Sequence, residues 1–269
     1  MNTTITAKSK ILKPVHRIVK WDCLEVMKKI PNACIDFICA DFPYNISNNG
    51  WWAKVWDKIR KYDFWEWDKF PSREEYLNFV FTVCKEYKRI LKPNASAVLF
   101  FSYQYAGWIW YELQRQGLFC FRQPIIFEKS NPLPRYKKDS FRSCYEIVIW
   151  LINSEKEYAK PRTFNFLDQF TMKNVMSYKI WKDWNKQTNH PTEKPEGLTK
   201  TLIEIFTNPW DIVLDSFAGG WTTGVASYKA KRNAISIERE EWFYQTILKR
   251  QKRAEANPLS IIKKHVNIT

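Results

Sequence analysis

Asp215-Ser-Phe-Ala-Gly-Gly-Trp-Thr-Thr-Gly224 follows a short apolar run, Asp211 to Leu214, and opens a stretch with helical periodicity. A glycine-rich turn between strand and helix is where doubly wound sheets hold nucleotide-type ligands, because bare backbone admits the ligand to the helix N-terminus. Three of the chain's 7 glycines fall between positions 219 and 224, so in this glycine-poor sequence their concentration marks a site. The next apolar run ends Ile235-Ser-Ile-Glu238, and an acid about twenty residues past such a turn can accept two ribose hydroxyls. A plain strand-to-helix turn would account for the glycines but not for the acid.

Outward from this turn, short apolar runs alternate with helical patterns, the signature of an α/β fold. Strands are expected at His16–Lys20, Ile35–Ala40, Ala97–Ser102, Gln123–Phe127, Glu146–Ile152, Ile212–Asp215 and Ala234–Ile237. Most are continuous apolar runs, as in strands covered on both faces. Helices fit between them at Leu24–Lys29, Arg73–Leu91, Ala106–Gln116, Pro195–Thr207, Thr223–Ala230 and Glu241–Ala256, with Ser72 and Glu75 as a capping box for the second. The natural assembly is seven strands in a mostly parallel, doubly wound sheet. Two polar, aromatic segments, 45–71 and 153–189, break the alternation, and loops of such length inside a domain are usually functional.

A second motif closes the strand Ile35-Asp-Phe-Ile-Cys-Ala40: Asp41-Phe-Pro-Tyr44. A carboxylate, a proline and a phenol at the end of a buried strand suit the grip of a planar amine. Asp41 and the Phe42 carbonyl can accept the two amine hydrogens, Pro43 fixes the backbone and Tyr44 stacks on the ring. By itself the tetrapeptide is weak evidence, a loop-start Asp-x-Pro turn being the more frequent explanation.

Composition selects the partner class. Of 269 residues, 43 are Lys or Arg and 28 Asp or Glu, a formal charge of +15 that suits a polyanion, nucleic acid before membrane. No apolar stretch approaches the ~20 residues of a membrane span. The polar N-terminus has no apolar core, so no secretory signal is expected. The 6 cysteines show no CxxC pair and read as reduced thiols of a cytoplasmic protein; with 3 His, no metal site is expected.

The two motifs occur within an ordered set of blocks: Val19-Lys-Trp-Asp-Cys-Leu-Glu25, Ile35 to Asn45, Leu91-Lys-Pro-Asn-Ala-Ser-Ala-Val-Leu99, Glu128-Lys-Ser-Asn131 with Tyr145-Glu-Ile-Val-Ile-Trp150, His190-Pro-Thr-Glu-Lys-Pro195, Val213 to Gly219 and Ser236-Ile-Glu238. Over nearly the whole chain this resembles the DNA amino-methyltransferases in which the catalytic motif precedes the cofactor motif, the β arrangement. The resemblance implies the S-adenosylmethionine-dependent methyltransferase fold, with S-adenosyl-L-methionine as cofactor. It implies that Asp215, Phe217, Ala218 and Gly219 line the methionine and ribose side, Glu238 binds the ribose hydroxyls and Lys194 meets the methionine carboxylate. Asp22 falls where the family contacts the cofactor's adenine, and His190 and Thr192 take positioning roles. Two departures stand out. Phe42 replaces the first of two usual prolines, which the backbone carbonyl's role tolerates. Trp221 replaces a usual glycine, where an indole either shields the site, crowds it, or points outward if Gly220 shifts the turn.

By the same resemblance, the reaction is methyl transfer to adenine N6 in a specific double-stranded DNA sequence, with the base flipped out and Asp41 to Tyr44 as its catalytic set. Cytosine N4 is the alternative target, since the Asp-led motif is only the commoner adenine form. A catalytically silent DNA-binding paralogue is the rival suggested by Trp221. C5-cytosine chemistry requires a thiol, typically in a Pro-Cys step, which the chain lacks. Residues 1–152 form the catalytic half, with 45–71 as a lid of interleaved aromatics and bases over the flipped base or as a satellite hydrophobic cluster. Residues 153–189, bearing Lys156, Lys160, Arg162, Lys173, Lys179 and Lys182, take the slot of the target-recognition segment; 190–256 form the cofactor half and 257–269 a basic tail. A homodimer and a cognate restriction endonuclease are further partners that the family allows.

Overall fold

In chain order the elements are β1 (His16–Lys20), α1 (Cys23–Met27), β2 (Ile35–Asp41), β3 (Trp51–Val55), β4 (Lys58–Tyr62), a 3-10 turn (Glu66–Asp68), α2 (Arg73–Ile90), β5 (Leu91–Phe101), α3 (Tyr103–Arg115), β6 (Cys120–Lys129), β7 (Tyr145–Ile152), β8 (Val175–Tyr178), α4 (Glu196–Phe206), β9 (Ile212–Asp215), α5 (Thr222–Lys229), β10 (Asn233–Glu238) and α6 (Glu241–Ala256). The structure, a computed structural model, describes residues 13–46, 51–55, 58–62, 66–134, 139, 141–180 and 193–256.

The central strands form because their apolar runs are covered twice. β2 is buried from Ile35 to Ala40, β5 from Ala95 to Phe101 and β7 from Val148 to Ile152, the pattern of strands sandwiched between helices. One core joins α1, α2 and α3 to the sheet through residues such as Met27, Tyr87 and Ile109. A second joins α4 and α5 through Leu202, Phe206 and Ala226. Ser72 caps α2 as expected, its Oγ accepting the Glu75 N–H at 3.1 Å. α3 starts at Tyr103, earlier than its periodicity predicts, because Ser102 serves as its cap.

The main sheet runs β1-β10-β9-β2-β5-β7-β6-β8. Every pairing is parallel except those of β7, which is antiparallel to both β5 and β6. It has eight strands, not the seven expected. The extra one, β8, lies inside 153–189, a stretch expected to be irregular. Its four residues alternate exposed and half-buried along the outer edge of β6, too little apolar surface to register in the sequence. Within 45–71, β3 and β4 pair antiparallel as a separate hairpin. β2 pairs with β9 on one edge and with β5 on the other. The chain therefore changes direction across the sheet there, and ligand crevices form at the carboxyl ends of such strands. Among the described residues no helix is long and apolar enough to cross a membrane.

Candidate active site

A cavity of about 390 Å³, counting its open mouth, lies at the carboxyl ends of β2 and β9, bounded by Asp41, Lys194, Asp215, Phe217, Ala218 and Gly219 among others. Its floor is the glycine-rich turn. Asp215, buried at the end of β9, accepts the Phe217 N–H at 3.0 Å. Burial, only partly offset by hydrogen bonds from Thr223 and Phe217, pushes its carboxyl up to about 7. Gly219 adopts φ 44° and donates its N–H to Glu238 Oε2 at 2.8 Å, while Glu238 Oε1 accepts the Glu240 N–H at 2.8 Å. Glu238 thus braces the turn from the end of β10, and burial raises its pKa. From α6, Arg250 reaches Glu193 at 2.6 Å and also holds the Gly220 carbonyl.

Trp221 neither crowds this cavity nor turns outward. It is 1% exposed and absent from the cavity wall, packed behind the turn with Ala218, Val225 and Ile247. Its Nε1 donates to Ser236 Oγ at 3.1 Å, and His16 of β1 meets the ring edge-on at 5.9 Å. The seat is Gly224, where a Cβ would fall 1.9 Å from Nε1. With φ 62°, Trp221 keeps the left-handed backbone a glycine would supply, at a cost of about 1–2 kcal/mol.

The opposite wall carries the second motif. Asp41 ends β2, and its Oδ2 accepts from Lys194 Nζ at 2.6 Å. Its Oδ1 is buried and meets no hydrogen-bond partner among the described residues. Lys194 also lies 3.3 Å from Glu146 Oε2, and Lys129 lies 2.8 Å from Glu146 Oε1. The Tyr44 hydroxyl donates to Glu146 Oε2 at 3.0 Å, and Lys194 sits 5.2 Å from the centre of the Tyr44 ring. Burial pushes Asp41 up to about 6, with the charge of Glu146 adding to the rise and Lys194 opposing it. Burial would raise Glu146 as well, but Lys194 and Lys129 outweigh it and hold that carboxyl at about 2. Lys194 is raised despite its burial, by Asp41 and Glu146. The Phe42 ring is buried against Phe101 at 4.7 Å and Phe217 at 4.8 Å, and Tyr76 donates its hydroxyl to the Pro43 carbonyl at 2.9 Å.

The fold therefore gathers Asp41, Lys194, Asp215, Phe217, Ala218 and Gly219 on one cavity, with Tyr44 beside it. Asp22 and Glu238 stand off its wall. Asp22 caps α1, accepting the Leu24 N–H at 2.9 Å. His190 and Thr192 lie outside the described residues, as does Lys182. Glu146 and Lys129 lie in the family-like blocks 128–131 and 145–150, where nothing in the sequence marks either as a site residue. Asp68 had no signal at all. Among the described residues no group of three or more His, Cys, Asp or Glu is placed to hold a metal. Of the 45–71 segment, Phe70 packs on Tyr76 at 5.1 Å and Phe79 at 5.4 Å, so its end at least is a hydrophobic cluster.

Sheet and crevice are those of a doubly wound α/β protein with a ligand site at the carboxyl ends of its strands. The chain belongs to the N6/N4 DNA amino-methyltransferases: the DNA methylase family matches residues 35–249. It is 34% identical over 270 residues to the Type II methyltransferase M.HinfI of Haemophilus influenzae, covering 94% of this chain and 73% of that protein. Against the Type II methyltransferase M2.LlaDCHI of Lactococcus lactis subsp. cremoris, identity is 29%, covering 87% and 88%. The crystal structure of the M1.HpyAVI–SAM complex superimposes with a TM-score of 0.66 at 27% identity, covering 88% of this chain and 99% of that one. The cytosine-N4-specific PvuII methyltransferase shares the fold, with a TM-score of 0.68 at 18% identity over 96% of this chain and 89% of that one.

Proposed function

We propose that this DNA amino-methyltransferase modifies the N6 of an adenine flipped out of a specific double-stranded sequence. Its cofactor is S-adenosylmethionine, and the cavity has the chemistry to hold it. Lys194 offers a cation to a carboxylate, Asp215 an acceptor to an ammonium, Phe217 an apolar face, and Ala218 with Gly219 a close backbone. When bound, the cofactor supplies a methyl group on a sulfonium sulfur. What this chain adds is orientation and electrostatics. Asp41 Oδ1 and the Phe42 carbonyl accept the two amine hydrogens, favouring positive charge on the nitrogen, and Tyr44 stacks on the base. Glu238 and Asp22, both near the end of β10, are assigned to the cofactor's ribose and adenine.

The observation that carries this proposal is the buried Oδ1 of Asp41, which has no hydrogen-bond partner among the described residues, on the wall of the cavity that the glycine-rich turn floors. Adenine is preferred to cytosine because the tetrapeptide is Asp-led. A catalytically silent paralogue loses its motive, since the indole of Trp221 lies behind the turn. Residues 153–180 expose Lys156, Lys160, Arg162, Lys173 and Lys179 beside Tyr158, Phe166 and Phe170, a basic and aromatic surface suited to phosphates and bases. The Type II naming of two relatives supports pairing with a restriction endonuclease.

The test is incubation with unmethylated DNA and labelled cofactor, followed by digestion to nucleosides. N6-methyladenine is expected. Labelled N4-methylcytosine would reassign the target, and no label in any nucleoside would refute the enzyme.

A further inference from the structure

Resting on the methyl-transfer assignment above, we infer that Asp68 is a positioning residue: it clamps the backbone just past the catalytic tetrapeptide and so aims Asp41 and Tyr44. Its side chain is 1% exposed, and both oxygens face the loop after β2. Oδ1 accepts the N–H of Tyr44 at 2.5 Å and of Asn45 at 2.9 Å, and Oδ2 accepts the N–H of Ile46 at 3.0 Å. Three successive amides converge because Asn45 takes φ 52°, a left-handed conformation that Asn tolerates better than most residues. Consecutive N–H groups bent in this way form a concavity for an anion. Here the anion is supplied by the chain itself, from a 3-10 turn a few residues past β4.

Satisfying turn amides is a structural service that many acceptors could perform. Three features make this one specific to the reaction. First, Tyr44 is held at both ends, its N–H by Asp68 and its hydroxyl by Glu146, so the ring proposed to stack on the base has a fixed tilt. Second, the Pro43 carbonyl is held by Tyr76, so the peptide between Asp41 and Asn45 is anchored from two elements and cannot slide along β2. Third, a carboxylate alone offers acceptors to all three amides; an amide side chain would point an NH2 at one of them, leaving unsatisfied donors. The same carboxylate ties the 3-10 turn Glu66–Asp68 to the loop after β2.

The test compares the full-length wild type with D68N and D68E. Hydrogen–deuterium exchange is followed in the peptide spanning 41–46, cofactor affinity by calorimetry, and kcat and KM on unmethylated bacterial genomic DNA with labelled cofactor. D68N should exchange faster at 44–46 and lose about 100-fold in kcat, the scale of an ångström of misplacement, with cofactor Kd within about threefold of wild type. Should D68N fail to fold by circular dichroism, D68E is scored by the same criteria, since it keeps the charge but shifts the acceptors by a methylene. Unchanged exchange at 44–46, or a kcat within about threefold of wild type, overturns the inference. If the wild type itself transfers no methyl group, the assigned function fails instead, and the exchange data still uphold or overturn the clamp.

Discussion

Gly224→Ala tests how the chain accommodates a tryptophan in a glycine-rich turn. In an exposed helix this substitution would stabilise by ~1 kcal/mol. Here the new methyl group would lie 1.9 Å from Nε1, 2.1 Å from Cε2 and 2.5 Å from Cδ1 of Trp221. The indole is buried and tied to Ser236, so relieving the contact means moving a packed ring by more than 1 Å, roughly the shortfall from an ordinary ~3.5 Å carbon contact. Overpacking costs about 1–3 kcal/mol, here at the upper end, and the displaced hydrogen bond adds about 1 kcal/mol. After subtracting the helix gain, a net loss of ~2–3 kcal/mol is expected, or a melting temperature lower by roughly 5–10 °C for a chain of this size. Thermal unfolding without cofactor measures it. The double variant Trp221→Gly/Gly224→Ala removes the obstructing ring and restores glycine where φ is 62°. It should therefore lose less stability than the two single losses summed, by at least ~1 kcal/mol. Trp221→Gly alone forfeits a buried indole, about 3–5 kcal/mol before strain relief. A Gly224→Ala protein melting at or above the wild type would refute the seat assigned to the ring.

Asp41→Asn should reduce methyl transfer to background while calorimetry shows the cofactor still bound; a turnover near wild type would remove Asp41 from the reaction. Because Asp41 is pushed up to about 6 by its burial, and only its ionised form accepts both as a charge and as a hydrogen-bond partner, kcat/KM should fall as pH drops through that value. Glu146→Gln deletes a negative charge that raises Asp41 and leaves Lys194 to Asp41 alone, so that acid limb should move to lower pH, with a reduced kcat; an unmoved limb would break the link between the two carboxyls. Asp215, raised from 3.8 to about 7 chiefly by burial, binds its proton more readily in the folded than in the unfolded chain. Its contribution to stability should therefore decline as pH climbs across that interval, and Asp215→Asn should flatten the dependence of the urea midpoint on pH. With a charge of +15, DNA affinity should fall steeply with salt, log K declining linearly with log salt at a slope near −0.9 per phosphate contacted; a salt-independent affinity would contradict the basic surface of 153–180.

What the sequence made legible follows the range over which each feature is determined. β2 and β9 are largely buried, so their identity is written in their own residues as mostly apolar runs, interrupted in β2 by Asp36 and closed in both by an aspartate. The turn after β9 is legible for the same reason, since strand, glycines and helix are contiguous. Glu146 and Asp68 were illegible as site residues because the atoms that give them a role lie 102 and 24 residues away. Neither is marked out by its own stretch, Asp68 being one of three acids between Asp63 and Asp68, and only the register of β7 against β5 or the return of the chain past β4 brings them to Tyr44. β8 failed differently. An edge strand of four half-exposed residues has almost no burial to impose a pattern.

The placement of Trp221 is not legible in the motif although its explanation is local. The sequence groups Gly224 with Gly219 and Gly220 as bare backbone for a ligand, yet the three do different work. Gly219, at φ 44°, lines the cavity and ties the turn to Glu238. Gly220 gives its carbonyl to Arg250. Gly224 faces the other side of the helix start and receives the indole, three positions on, where residues i and i+3 of a helix share a face. What the turn requires at 221 is a left-handed backbone, and the tryptophan still provides that. Its side chain leaves the cofactor wall because the space beside Gly224, Ser236 and His16 is large enough to hold it. A substitution that looks disabling at the level of the motif is thus a repacking of the layer between α5, α6 and β1. Its cost should appear in stability when Gly224 is altered, and not in the affinity for the cofactor.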